Sequence, residues 1–158
     1  MVVGISDFKT GKAPLTLVTY ALGSCVGICL YDPVVRVGGL SHIMLPDSMM
    51  FAQSGINRMK FADTAIPDML EALCKMGADR RRITAKIAGG AQMFKVQEDS
   101  PIGMIGARNT RSVKAVLGEL RIPVMTEDTG ADYGRTLYFE LATGNVCVQS
   151  LKNKVMQL

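Results

Sequence analysis

Thr19-Tyr-Ala-Leu-Gly-Ser-Cys25-Val-Gly-Ile-Cys-Leu-Tyr-Asp32 is answered a few residues later by Gly38-Gly-Leu-Ser-His42-Ile-Met-Leu-Pro46. Both halves are apolar and rich in Val, Ile and Leu. Asp32-Pro33 between them starts a turn, because proline presets the dihedral of the first turn position. The pair therefore reads as a β-hairpin. A two-residue loop of Pro33 and Val34 sets Cys25 directly opposite His42, the one histidine of the chain. Opposed residues share a face with Cβ atoms about 4.5–5.5 Å apart, within reach of a thiol and an imidazole. A longer loop shifts the register and pairs Cys25 with a neighbour of His42 instead.

A cysteine and a histidine on one face suggest a nucleophile and its base. The thiol attacks well only as thiolate, and free cysteine has a pKa of about 8.5. A nearby imidazole can take that proton and later return it to a leaving group. The plainer alternative is a buried cysteine packed beside a structural histidine. Gly23-Ser24 ahead of Cys25 favours chemistry: small residues allow a tight turn and close substrate approach. They also leave the Cys25 N–H available to an oxyanion, a contribution of roughly 3–4 kcal/mol in acyl transfer. A third group must orient the imidazole. Thr19 can do so by its hydroxyl or its backbone carbonyl, with Asp47 and Asp128 as rivals.

At 158 residues the chain suits one domain, 1–158, long enough to bury about 68–70% of its unfolded surface. No stretch approaches the ~18 uninterrupted apolar residues of a membrane span. The N-terminus lacks the charged start and apolar run of a secretion signal, so a cytoplasmic protein without membrane insertion is expected. Net charge is +4. Its densest cluster, Arg80-Arg81-Arg82 flanked by Lys75 and Lys86, could neutralise phosphates. No aromatics interleave there, which favours a solvated turn and no nucleic-acid partner.

The four cysteines suit neither a disulfide nor a metal. On one strand Cys25 and Cys29 lie about 13 Å apart, beyond disulfide reach and too far for both to join His42 around zinc. A helical segment would revive the metal reading. Cys74 and Cys147, isolated in apolar patterns, read as small core residues. No cofactor is called for.

Residues 2–6 and 8–12 suggest a short first pairing. Leu15–Ala21 is a strand whose near-continuous apolarity implies a buried position. A loop from Pro46 to about Asn57 carries Met49, Met50 and Phe51, either an adaptable docking patch or tucked-in side chains. Ala62, Ile66, Met69, Leu70, Leu73 and Met76 recur at helical steps, with Gly77 as C-terminal cap. Pro67 is tolerated if the helix begins near Asp63 or Thr64. Strand Arg82–Ala88 ends at Gly89-Gly90, and 91–106 reads as loop, broken by Pro101 and Gly103. A helix over 107–120 presents Val113, Val116, Leu117 and Leu120. Strand Pro123–Asp128 and a closing hairpin of 136–141 with 145–151 follow. Eight or so strands and two amphipathic helices make an α+β fold, a layered sandwich of mixed β-sheets with helices packed outside.

As a set, Leu22-Gly-Ser-Cys25, His42-Ile-Met-Leu-Pro46, Phe61-Ala-Asp-Thr-Ala65, Ala85-Lys-Ile-Ala-Gly-Gly-Ala-Gln-Met-Phe94, Ile105-Gly-Ala-Arg-Asn109, Glu127-Asp-Thr-Gly130 and Gly134-Arg135 resemble the chemoreceptor glutamine deamidases (CheD) of bacterial and archaeal chemotaxis. They occur in family order over nearly the whole chain. The resemblance implies Cys25 as nucleophile, His42 as base and Thr19 as third member. It implies an α/β/β/α sandwich akin to the deamidating bacterial toxins. The substrate would be glutamines on chemoreceptor cytoplasmic helices, with glutamate methyl esters as a side substrate. A CheC phosphatase is the implied partner, with the loop after Pro46 and Ala91–Phe94 as docking rim. Ala131 departs from the second glycine that many members carry after Glu-Asp-Thr-Gly. Two rivals stand beside this reading: a non-catalytic module that regulates a chemotaxis phosphatase, and a transglutaminase that passes the same thioester to an amine.

Overall fold

Every residue of Val26–Asp32 and of Val37–Ile43 is buried, the signature of strands covered on both faces. In the computed structural model, which describes residues 1–51, 55–95, 104–150 and 155–158, these segments are β3 and β4. They form the middle of a five-stranded sheet. Outside β4 lies β1 (Asp7–Lys12), and outside β3 lie β5 (Thr84–Gly89) and then β6 (Val124–Thr129). The pairings are antiparallel except β5 with β6. A second, antiparallel sheet runs β2 (Thr16–Leu22), β7 (Arg135–Glu140), β8 (Val146–Ser150) and β9 (Val155–Gln157).

Side chains alternate across β3 and β4. Val26, Ile28, Leu30, Val37 and Ile43 face α1 (Ala62–Lys75) and α2 (Ile105–Glu119) and join Ile66, Met69, Leu73, Val113 and Leu117 in one core. Cys29, Tyr31 and Leu40 face the second sheet and pack with Leu17, Leu137, Phe139 and Val148. The α+β expectation is met. The expected α/β/β/α order is not: among the described residues both helices cover the five-stranded sheet, so the order is α/β/β. Both amphipathic stripes are drawn to the wholly apolar face of β3 and β4. The outer face of the second sheet, with Tyr20 and Gln149 exposed, offers no comparable surface.

Local expectations met the structure unevenly. The hairpin loop has four residues, Pro33–Arg36, with Asp32 opposite Val37. The Asp32 carboxylate accepts the Val34 N–H at 2.9 Å, and Arg36 turns the chain at φ 51°. His42 therefore faces Gly27, and Cys25 stands just ahead of β3. Residues 2–6 do not pair with 8–12; β1 pairs with β4, and Val2 bridges Val18 in parallel. Strand β2 is the edge of its sheet and only half buried, because its apolar run includes positions on the outer face.

Helix α1 begins at Ala62 and runs through Pro67, giving up the one backbone bond that Pro67 has no N–H to make. Gly77, at φ +98°, closes it with N–H bonds from Gly77 to Cys74 and from Ala78 to Leu73. Helix α2 starts at Ile105, two residues early. The breakers Pro101 and Gly103 lie outside the described residues, as does Leu151 of the closing hairpin. Cys74 is exposed and Cys147 half-buried, not core: each sits beside its element's apolar stripe rather than on it. The basic triplet is partly internal. Arg82 pairs with fully buried Asp32 and Arg81 with Asp79, each at 2.8 Å. Burial works to raise the Asp32 carboxyl, but Arg82 and the N–H groups of Asp79 and Val34 outweigh it and hold the pKa at about 2.

Candidate active site

Thr19 and Leu22 are three apart on β2, yet both point inward and both are fully buried. A regular strand would send them to opposite faces. The register to β7 steps from Thr19–Leu137 to Leu22–Arg135, a bulge with one extra residue on β2. Ala21 takes φ 57° there, a left-handed conformation costing about 1–2 kcal/mol for a residue with a side chain. The bulge presses the Thr19 hydroxyl against His42 on the facing sheet, with Oγ1 2.7 Å from Nδ1.

That contact determines where the imidazole carries its proton. Thr19 Oγ1 is also 2.8 Å from the Val3 carbonyl oxygen, which can only accept. The single hydroxyl proton therefore goes to Val3, and Thr19 accepts from His42 Nδ1–H. In the neutral ring Nε2 is then the bare nitrogen. Nε2 is buried and has no hydrogen-bond partner among the described residues. Burial lowers the His42 pKa to about 4, so the ring is neutral at physiological pH and holds a lone pair ready for a proton.

Cys25 lies on the same face. His42 is opposite Gly27, so Cys25, two residues earlier, is its diagonal neighbour, about 7–8 Å away between Cα atoms by sheet geometry. The predicted direct opposition is corrected to this diagonal. A four-residue loop moves the register by an even step and so keeps the face. Cys25 is half-buried. Burial raises its thiol pKa, and its own backbone N–H partly offsets this. The resting pair is thus a neutral thiol beside a neutral imidazole.

Of the groups considered for orienting the ring, Thr19 reaches it and the two carboxylates do not. Asp128 binds buried Arg135 at 3.0 and 3.2 Å, and Asp47 accepts the Met49 N–H. Among the described residues no group of His, Cys, Asp and Glu could hold a metal.

The Cys25 loop is held by three consecutive carbonyls. Gly23 O accepts from Ala91 N at 2.8 Å, Ser24 O from Asn109 Nδ2 at 2.9 Å, and Cys25 O from Gly90 N at 2.8 Å. A Cβ on Gly89 would stand 2.2 Å from Cys25 O, so only glycine lets β5 approach this closely. The second bond of Asn109 Nδ2 goes to Met44 O at 3.0 Å, two residues beyond His42. Asn109 has no reactive chemistry to mark it, and as one member of a matching motif it received no role from the sequence. Ala131 takes φ 60°, a left-handed conformation that glycine adopts without steric cost. Met44, Met49, Met50, Met93 and Phe94 are exposed, and Met93 lies against Gly23. A cleft of about 450 Å³ opens beside Gly90 and Gln92, with Arg111 and Lys114 on its wall.

Among the described residues no helix is long and apolar enough to cross a membrane. The chain is similar in fold to the crystal structure of Bacillus licheniformis hypothetical protein YfiH, with TM-score 0.52 and 16% identity over 80% of this chain. It spans about half (51%) of that structure's length. A probable chemoreceptor glutamine deamidase CheD of Clostridium novyi is 50% identical over 149 residues, covering 94% of this chain and 91% of the relative. One of Moorella thermoacetica, under the same description, is 52% identical over 151 residues, covering 94% and 89%. The family model described as CheD chemotactic sensory transduction matches residues 44–150, a span that begins just past His42. With half its residues shared across nearly the whole length of such relatives, the chain belongs to the CheD family.

Proposed function

We propose that residues 1–158 form a single cytoplasmic domain that converts glutamine side chains on chemoreceptor helices to glutamate, with Cys25 as nucleophile, His42 as base and Thr19 as the residue that orients it. One observation carries the reading. The Thr19 proton is committed to Val3, which leaves His42 Nε2 bare, buried and without a partner among the described residues, on the face that holds Cys25.

In the first half-reaction Nε2 takes the thiol proton as sulfur attacks the carboxamide carbon. A C–S bond forms and the carbonyl electron pair moves onto oxygen. When the tetrahedral species collapses, the C–N bond breaks and His42 returns its proton to the nitrogen, which leaves as ammonia. Water then attacks the thioester while Nε2 accepts its proton, the C–S bond breaks, and the sulfur is reprotonated. The product is glutamate. No metal enters, since the proton transfers need only the imidazole. A glutamate methyl ester would follow the same course with methanol leaving, so methylesterase side activity is part of the proposal.

Exposed Met93 beside Gly23, followed in the chain by exposed Phe94, suits docking of an amphipathic helix, because a flexible thioether adapts to apolar ridges. The same rim would receive a CheC phosphatase, which makes a regulatory role the second reading. Incubating a receptor cytoplasmic fragment with wild type and Cys25→Ala, followed by ammonia release and peptide mass, tests both. Conversion by wild type and none by Cys25→Ala is expected. An inactive wild type, or an equally active variant, overturns the enzymatic reading. A variant that is inactive yet still binds the phosphatase separates the two roles. Incorporation of a labelled primary amine would reassign the enzyme to transfer.

A further inference from the structure

The deamidase reading leaves open what stabilises the negative charge that appears on the carboxamide oxygen, and on this point the inference below rests on that reading. Ser24–Cys25 is a trans peptide, in which the C=O and the N–H point in opposite directions. Whatever holds the Ser24 oxygen on one side therefore aims the Cys25 N–H to the other. The holder is the Asn109 side chain, fully buried on α2. Its Nδ2 donates to Ser24 O at 2.9 Å and to Met44 O at 3.0 Å. Both protons of the amide are thereby used, and Oδ1 has no hydrogen-bond partner among the described residues. An amide with two carbonyl partners and an idle oxygen is placed there for its donors.

We propose that Asn109 is a positioning residue: by fixing the Ser24 carbonyl it orients the Cys25 backbone N–H as an oxyanion donor. Through Met44 it also ties this loop to the strand that carries His42. Three features agree. The carbonyls on either side, Gly23 and Cys25, are held by Ala91 and Gly90, so the loop cannot readily rotate to compensate. The Cys25 N–H also favours negative charge on its own sulfur, working against the rise that burial imposes on the thiol pKa. Helix α2 is seated tightly at this end, since a Cβ on Gly106 would stand 2.4 Å from Ala91 O.

An oxyanion donor matters to amide hydrolysis but not to alkylation of the thiol by iodoacetamide, which forms no oxyanion. Asn109→Ala is therefore assayed on the receptor fragment and, in parallel, by the rate and pH dependence of Cys25 alkylation. The expected result is a kcat lower by about 10–100-fold, as for a displaced rather than deleted donor, with KM and alkylation as in wild type. An unchanged kcat, or kcat and alkylation falling together, overturns the proposal. An inactive wild type would instead remove the deamidase reading itself.

If Asn109→Ala does not fold, the wild-type protein decides. In ¹⁵N-labelled protein the Cys25 amide proton should move downfield when a glutamine-derived peptide aldehyde adds to the sulfur. It should not do so with methyl methanethiosulfonate, which caps the same atom and places no oxyanion. Equal movement with the two reagents overturns the proposal.

Discussion

The two faces of β3 and β4 are equally buried and chemically opposite. Toward the helices stand Val26, Ile28, Leu30, Val37 and Ile43, with Ser41 and, at the turn end, Asp32 as the polar exceptions. Toward the second sheet stand Gly27, Cys29, Tyr31, Gly38, Leu40 and His42. The first face is a packing surface that many apolar side chains could fill. The second brings backbone and functional groups together, and its glycines let the sheets close around a ring nitrogen. Burial alone does not tell core from site; what a buried atom lacks is more informative.

The sharpest way to break this contrast is to substitute one residue on each face. His42→Gln should lower turnover by about 10²–10⁴-fold, the usual worth of general base catalysis, with little loss of stability. Ile28→Ala should lower unfolding free energy by about 2–5 kcal/mol while the folded protein keeps its kcat. Denaturant melts run beside turnover assays decide it, and a large stability loss for His42→Gln would erase the distinction.

The acid response is next in size. Because the folded His42 pKa is about 4, well below that of a free imidazole, the unfolded chain binds more protons between roughly pH 6.5 and 4. The penalty for protonating the buried ring is absent above pH 6.5 and grows as pH falls toward 4, destabilising the fold by roughly 3 kcal/mol in all. Urea midpoints of wild type minus those of His42→Gln should show this slope, and turnover should fall as pH drops through about 4. Parallel curves for the two proteins would mean that the ring is protonated as easily in the fold as out of it.

The smallest effect separates neighbouring glycines. A Cβ on Gly38 would meet the Leu30 backbone oxygen at 2.9 Å and Leu141 at 2.7 Å, between the sheets. A Cβ on Gly39 would meet the flexible end of Met69 at 2.8 Å, on the helix side. Gly38→Ala should therefore be the less stable by about 1–3 kcal/mol, read from the two midpoints. Equal losses would show that the sheet interface yields as readily as a methionine.

Much of this contrast could be read from the chain before folding. Alternation within an apolar run, the helical stripes of α1 and α2, and a lone histidine facing a Gly-Ser-Cys turn are local signals. The hairpin register was legible only to within a turn type, because the Asp32 carboxylate captures Val34 N–H and lengthens the loop. The face survived since the error was even. Strand order was not legible: nothing near Thr19 says that it belongs to a different sheet from His42, or that β1 returns to pair with β4. Asn109 was hidden for another reason. Its role depends on two carbonyls distant in sequence, and carbonyls are the same in every residue.

The bulge on β2 couples the packing of the two sheets to the placement of the Thr19 hydroxyl against His42. Were β2 to run as a regular strand with all its residues, Ala21 giving up its left-handed turn, either Thr19 or Leu22 would have to swing to the solvent side. Losing the first would strip the imidazole of its guide; losing the second would open a hole between the sheets. Flattening the bulge without shortening the chain is thus barred twice over, while the loop at Pro33–Arg36 could change length by two and leave Cys25 and His42 on one face.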